Sequence, residues 1–351
     1  ITGRRGKTPE GAVLRCRESG STLRFMIPLA LTGARVRFEG TPRLLERGIG
    51  IYEDMLGGKG IKIKKDEGGI ELCGALTAGE DVLRGDVSSQ FVSGLLFALP
   101  TLSGDSVIKV LPPVESRAYI DITLGVLRSF GIEISEPEPN IFTVRGGQRY
   151  EAGEKTVEGD WSNAAFWLCA GAIGTDPITV EGVSLSSAQG DRNVLAALSR
   201  FGARIVRSTN AATVQSDKLA GFEMSAHDIP DLVPVISAVA SLAQGRTFIR
   251  DCARLRIKES DRLATTTREL TALGAQVRIA GDDLIIKGVD AFTGGEVDSH
   301  NDHRIAMMAA IAASRATGEV VIHGAEAVNK SYPDFFDHYR LLGGKVTLEE
   351  E

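Results

Sequence analysis

LGAQVRIA, residues 273–280, closes one apolar helical pattern and opens another of period two. Its glycine follows the leucine that ends the helix. Only glycine enters the left-handed backbone region at little cost, so the stretch reads as a helix C-terminus turning into a strand. The same pattern recurs as LGGKGIKI from Leu56, FGIEISE from Phe130, FGARIVRS from Phe201 and LGGKVTLE from Leu342. Successive copies stand about 70 residues apart, which is the mark of an internal repeat.

The neighbourhood of each copy repeats too. Hairpins are predicted where KKDEGG precedes IELCG, SEPEPN precedes IFTV, STNA precedes ATVQ and AGDD precedes LIIKG. A further helix opens in each copy at ESGSTLRF, VSSQFVSG, GDWSNAAF, HDIPDLVP and SHNDHRIA, with Ser21, Ser89, Ser162, Asp231 and Asp302 as equivalent positions. Residues of capping type stand ahead of each apolar run. Connecting strands are predicted at 35–40, 105–111, 178–182, 247–251 and 319–324. The unit is therefore a helix, a strand or two, a second helix and a hairpin, present five times. The last copy stops at the single strand KVTLEEE, and the chain begins with Ile1 instead of Met. An incomplete set of six, short at its N-terminus, is the simplest expectation.

A cation marks the helix ahead of each L/F-G strand: Arg47, Arg117, Arg192, Arg262 and Lys330. The positive end of a helix dipole favours anions, so cations there do not serve helix stability. Five in register read as binding residues. LRIKESDRLATT, residues 255–266, adds Lys258, Glu259 and Asp261 beside Arg262 at a helix opening. A solvated, salt-bridged turn is the ordinary account of such a cluster, but its place in the repeat argues for chemistry. If the helices of a domain run parallel, their N-termini gather free N–H groups into an anion site, and two such domains facing one another would focus that field into a cleft. Arg24, Arg47, Arg117, Arg192, Lys258, Arg262, Arg304 and Lys330, with the donors Ser88, Ser89, Gln90, Ser116 and Asn329, suit a phosphate ester or carboxylate. Asp231, Glu259 and Asp302 are the available acids and bases.

The bulk properties narrow the choice. At 351 residues two domains are expected, and 43% hydrophobic with 25% charged residues is an ordinary globular balance. A net charge of −6 argues against a nucleic-acid binder. No apolar run approaches a membrane span and no signal peptide is evident. Cys16, Cys73, Cys169 and Cys252 form no paired motif, and the histidines lack ligand spacing, so free thiols and no metal site are expected.

ESGSTLRF (18–25), RLLERGIG (43–50), DVSSQF (86–91), ESRAYIDIT (115–123), VEGDWSNAA (157–165), HDIPD (227–231), RIKESDRL (256–263), NDHRIAM (301–307) and NKSYPDFF (329–336) together resemble the enolpyruvyl transferase family. Within it they are most similar to the branch that acts on shikimate 3-phosphate. The resemblance implies an α/β (α+β) fold of two domains, each of three βαβαββ units, an inside-out α/β barrel with five of the six units in this chain. Residues 1–157 would form the first domain, incomplete at its N-terminus and on the shikimate 3-phosphate side. Residues 158–351 would form the second, on the phosphoenolpyruvate side with the catalytic carboxylates.

The implied reaction moves the enolpyruvyl group of phosphoenolpyruvate to the 5-hydroxyl of shikimate 3-phosphate and releases phosphate. It needs no metal or organic cofactor and is run by a cytoplasmic monomer, with no membrane or nucleic-acid partner. By resemblance Ser88, Ser89, Gln90, Ser116 and Lys258 hold shikimate 3-phosphate, with Tyr119 nearby. Arg47, Arg262, Arg304 and Lys330 hold phosphoenolpyruvate, with Gly20 leaving room beside it. Asp231 takes the hydroxyl proton, Glu259 serves proton transfer at the methylene carbon, and Asp302 and His303 support them. The family's N-terminal lysine-bearing G-S-K-S segment and the S-N-R after it have no counterpart here. About 75 residues are therefore expected to be absent, close to one unit, with weak or no activity in this chain alone. Two alternatives stand beside this reading. The sister transferase acting on a UDP-amino sugar relies on a loop cysteine, and TPRLLERGIG has none. A non-catalytic anion-binding fragment is the other.

Overall fold

The structure is a computed structural model that describes residues 7–349. Contacts divide the chain into two compact domains, Ile1–Lys155 and Thr156–Glu351. The first holds two complete repeats. One runs β1 (Ala12–Arg17), α1 (Gly20–Ala30), β2 (Thr32–Gly40), α2 (Pro42–Arg47), α3 (Gly50–Gly58), β3 (Lys62–Asp66) and β4 (Gly69–Ala75). The next runs β5 (Glu80–Arg84), α4 (Gln90–Ala98), β6 (Ser106–Leu111), α5 (Arg117–Ser129), β7 (Ile134–Glu138) and β8 (Ile141–Val144). Their sheets share one design, β1-β2-β4-β3 and β5-β6-β8-β7, with the first pair parallel and the others antiparallel.

The second domain continues with α6 (Trp161–Ile173), β9 (Ile178–Glu181), α7 (Val194–Phe201), β10 (Arg204–Ser208) and β11 (Ala211–Gln215). A complete unit follows: β12 (Glu223–Ser225), α8 (Val233–Ser241), β13 (Arg246–Arg250), α9 (Arg262–Ala272), β14 (Gln276–Ala280) and β15 (Asp283–Lys287). Last come β16 (Gly295–Asp298), α10 (His303–Ala313), β17 (Val320–His323) and α11 (Phe335–Leu341). Here the sheets are β10-β11-β9, β12-β13-β15-β14 and β16-β17. The third unit lacks the leading strand and the fifth lacks the hairpin. The predicted C-terminal strand KVTLEEE shows no regular structure over residues 345–349, and its last two residues lie outside the described ones.

Every sheet stays open, so no closed strand barrel exists among the described residues. What is inside out is the layering. Helices α6, α8 and α10 are buried on nearly every face and pack on one another, while the sheets present their second face to water. A helix apolar all round belongs in a core. Trp161, Phe166, Ile236, Val239, Met307 and Ile311 fill that core, and Leu23, Ile27, Phe38, Tyr52, Leu95 and Phe142 fill the separate one of the first domain.

The glycines behave as read in four copies: Gly131, Gly202, Gly274 and Gly343 all have positive φ. In the first copy helix α3 runs through Gly57 and Gly58, and the left-handed residue is Gly60. Backbone geometry places the caps among these residues. Ser19 and Asp160, not Ser21 and Ser162, occupy the N-caps of α1 and α6, and Asp231 lies in a 3-10 turn ahead of α8. Ser89 and Asp302 hold the N-cap positions of α4 and α10. The cation register also loosens: Arg117 and Arg262 begin α5 and α9, whereas Arg47 ends α2 and Arg192 and Lys330 lie in 3-10 turns. All four cysteines are free, with Cys73 exposed and the others buried.

Candidate active site

KESDR does not open a helix with mixed charge. Asp261 caps α9 by accepting from Ala264 N at 3.1 Å, and Lys258 and Glu259 lie in the loop before it. Arg262, the first helical residue, points inward and is 1% exposed. Its guanidinium is shared out among three carboxylates. Nε and Nη2 donate to Asp302 at 2.8 and 3.1 Å, Nη1 donates to Asp231 at 2.7 Å, and Nη2 pairs with Glu259 Oε2 at 2.6 Å. Lys258 Nζ reaches the same Asp231 oxygen at 3.1 Å.

This packing sets the charges. Burial alone would lower the Arg262 guanidinium, but Asp302, Glu259 and Asp231 raise it above its ordinary value. Burial opposes ionisation of Asp302 as well, yet Arg262 brings it down to about 2. Asp231 is held well below the usual carboxylate range against its own burial, by Lys258, Arg304 and Arg262. Glu259 is lowered in the same manner by Arg262, and Lys258 is lowered by burial. All three carboxylates therefore rest ionised around one buried cation.

At the start of α10, Arg304 donates to the Asp231 carbonyl at 3.0 Å and to Ser162 Oγ at 2.8 Å. Beside it His303 is 9% exposed, and burial with the charges of Arg304 and Arg262 bring it down to about 4, so it is neutral near pH 7. Its Nδ1 is buried without a hydrogen-bond partner. The preceding residues His300 and Asn301 both take positive φ, and Lys330 Nζ donates to the Asn301 carbonyl at 2.5 Å. Two tight left-handed residues thus bring Lys330 to the turn that launches Asp302, His303 and Arg304.

The first domain assembles a second group. Arg24 Nη1 donates to Gln90 Oε1 at 2.7 Å, and a methyl added at Gly20 would sit 3.4 Å from both groups and 3.6 Å from Arg47 Nη2. Arg24 is 4% exposed, lies 4.8 Å over the Phe91 ring, and is lowered to about 10 by burial and then by Arg47. Its Nε is buried without a hydrogen-bond partner, and among the described residues it forms no ion pair. A buried arginine beside another arginine, with its own Nε unsatisfied, suits an anion. Ser88 Oγ accepts from Gln90 N at 3.3 Å, and Ser89 is buried. Ser116, in the left-handed region at φ 55, and the exposed Tyr119 start α5, which is tied to α4 by Ser93 Oγ and Thr123 Oγ1 at 2.7 Å.

The family described as EPSP synthase (3-phosphoshikimate 1-carboxyvinyltransferase) matches residues 1–339. The chain belongs to the EPSP synthase family. It is similar to the 3-phosphoshikimate 1-carboxyvinyltransferase of Clostridium kluyveri, at 45% identity over 95% of this chain and 79% of that protein. The protein of the same name from Clostridioides difficile is 43% identical over 94% of this chain and 76% of its own length. A solved EPSP synthase from Acinetobacter baumannii superposes with a TM-score of 0.79 at 27% identity, covering 95% of this chain and 79% of that one.

Two of the cations read from the repeat in this EPSP synthase family chain are engaged within the protein. Arg117 binds Asp121, Glu136 and Asn140, bracing α5 to the β7–β8 hairpin, and Arg192 donates to the Leu185 carbonyl. Sequence reasoning passed over Asp191 and the hydroxyl of Ser162, which meet at 2.5 Å behind Arg304. The only local signal was an acid inside QGDRN, next to a cation that drew the attention. Among the described residues no group of His, Cys, Asp or Glu is placed to hold a metal ion, and no helix is long and apolar enough to cross a membrane.

Proposed function

We propose that this chain transfers the enolpyruvyl group of phosphoenolpyruvate to the 5-hydroxyl of shikimate 3-phosphate, releasing phosphate, as a cytoplasmic monomer. The observation that carries the reading is the convergence of Asp231, Lys258, Glu259, Arg262, Asp302 and Arg304 into one buried network, within a chain of this family. Ser88, Ser89, Gln90, Ser116 and Lys258 hold shikimate 3-phosphate, with Tyr119 beside them. Arg47, Arg304 and Lys330 hold the anionic groups of phosphoenolpyruvate, and Arg24 joins them. Four of the five N–H groups of Arg262 face Asp302, Asp231 and Glu259, which leaves one on Nη1 for that ligand.

Asp231 is ionised and accepts the proton of the attacking hydroxyl, while Lys258 and Arg304 restrain its charge. Glu259 rests as a carboxylate beside Arg262, so it protonates the methylene carbon only after gaining a proton itself. In the addition the hydroxyl oxygen bonds to C2 of phosphoenolpyruvate, giving its proton to Asp231 while the methylene takes one from Glu259; in the elimination the new methyl returns a proton to Glu259 as the C–O bond to phosphate breaks, and the hydroxyl proton leaves with phosphate. His303, neutral and with Nδ1 unsatisfied, and Asp302, which anchors Arg262, support them.

The decisive assay is phosphate release from phosphoenolpyruvate by this chain, with shikimate 3-phosphate and with a UDP-amino sugar as rival acceptors. Because the lysine-bearing segment has no counterpart in this sequence, weak release is expected, and with shikimate 3-phosphate alone. Gly20→Ala should raise the KM for phosphoenolpyruvate with little change in melting temperature, since the added methyl enters the space among Arg24, Gln90 and Arg47 at ordinary contact distances. No release with shikimate 3-phosphate, with a UDP-amino sugar inert as acceptor too, would remove the transferase and leave an anion-binding protein.

A further inference from the structure

Asp191 has no part in the chemistry above, yet it is 5% exposed and lies behind a cation that does. It sits in the 3-10 turn Gly190–Asn193 ahead of α7. Ser162, in the first turn of α6, donates its hydroxyl to Asp191 Oδ2 at 2.5 Å and accepts from Arg304 Nη2 at 2.8 Å. Three separate elements thus meet in one line, from carboxylate to hydroxyl to guanidinium. A hydroxyl has a single proton. Once it is given to Asp191, only lone pairs face Arg304, so the acid fixes the polarity that the cation meets. The other terminal nitrogen of Arg304 is fixed by the Asp231 carbonyl at 3.0 Å.

We infer that Asp191, acting through the Ser162 hydroxyl, is a positioning residue for Arg304 and sets how tightly the second domain holds the anionic groups of phosphoenolpyruvate. The inference rests on Arg304 being an anion contact, as proposed above. The physical reason is preorganisation. A free arginine side chain loses rotamer freedom on binding, whereas one already held at both ends of its fork does not. Arg304 faces Asp231 at 3.9 Å as well, so without the Ser162 contact its fork can swing fully onto that carboxylate and away from a ligand.

The test is calorimetric titration of phosphoenolpyruvate without shikimate 3-phosphate, so that no turnover adds to the heat, on the wild-type chain and on Ser162→Ala, Ser162→Thr and Asp191→Asn. Losing a hydrogen bond to a charged partner predicts roughly 10-fold to 100-fold weaker binding in Ser162→Ala. Ser162→Thr keeps the hydroxyl and should bind within about threefold of wild type. Asp191→Asn keeps an acceptor oxygen but no charge, and should fall between them. Affinity for shikimate 3-phosphate alone should not move, which separates positioning from a general loss of structure. Equal phosphoenolpyruvate affinity in wild type and Ser162→Ala overturns the relay and leaves the proposed function standing. If wild type shows no phosphoenolpyruvate heat, that proposed function is at fault, and ¹⁵N spectra of the Arg304 guanidinium decide the relay without ligand. Slow terminal-nitrogen exchange in wild type and Ser162→Thr but not in Ser162→Ala supports it, while identical spectra in all three overturn it.

Discussion

Arg262 shows what a single residue is asked to do. Its planar fork serves Asp302, Asp231 and Glu259 at once, which the point charge of a lysine cannot. Arg262→Ala would strand three buried or half-buried carboxylates and should cost about 3–5 kcal/mol of stability in urea unfolding. Arg262→Lys should recover less than half of it, and a loss below about 1 kcal/mol in the alanine variant would show the network to be expendable. Titration offers a second prediction. His303 is lowered from 6.5 to about 4, so the unfolded chain binds its proton first and stability falls as pH drops from about 6.5 to 4. Asp191 is raised from 3.8 to about 6 by burial and the nearby Asp231, so the native state binds that proton first and stability rises as pH drops from about 6 to 4. The two slopes oppose each other. Asp191→Asn should steepen the acid-side loss and His303→Gln should flatten it, both read from melting temperature between pH 5 and 7, above the range in which the lowered carboxylates of Asp231, Glu259 and Asp302 take up protons. Parallel curves for the three proteins would refute the opposition.

At the scale of elements, the glycine after each helix was legible because left-handed backbone is a local cost. How strictly each copy needs it was not, since that depends on what packs nearby. Gly202 has φ 108, and a Cβ there would meet the Lys218 carbonyl oxygen at 2.6 Å. Gly202→Ala should therefore destabilise by about 1–3 kcal/mol. Gly57 is helical with nothing within 4 Å, so Gly57→Ala should be neutral or stabilise by up to about 1 kcal/mol. Chemical denaturation of the two variants checks the pair, and an equal cost would mean that the first copy caps like the others. The same contrast explains the caps. Ser19 and Ser21 are indistinguishable by type, but only Ser19 has extended backbone with its side chain on Thr22 N. Sequence pattern locates a helix start to within a few residues, and backbone dihedrals decide the rest.

For the molecule as a whole, two cores are joined through residues 151–158, all exposed and without regular structure. Brief tryptic digestion should cut first after Lys155 and leave two protease-resistant fragments by mass spectrometry. A first cut inside α6 or α8 would contradict two independently packed domains. The sequence alone determined the repeat and the hairpins. These depend on neighbours a few positions apart, where periodicity and turn chemistry act. Tertiary structure alone decided which cation meets which acid. Ser162 and Asp191 are 29 positions apart and Ser162 and Arg304 142 apart, and Arg262 finds Asp302 across 40. Such pairings follow from how buried helices stack, and burial then turns charges that would be weakly coupled in water into one strongly coupled network.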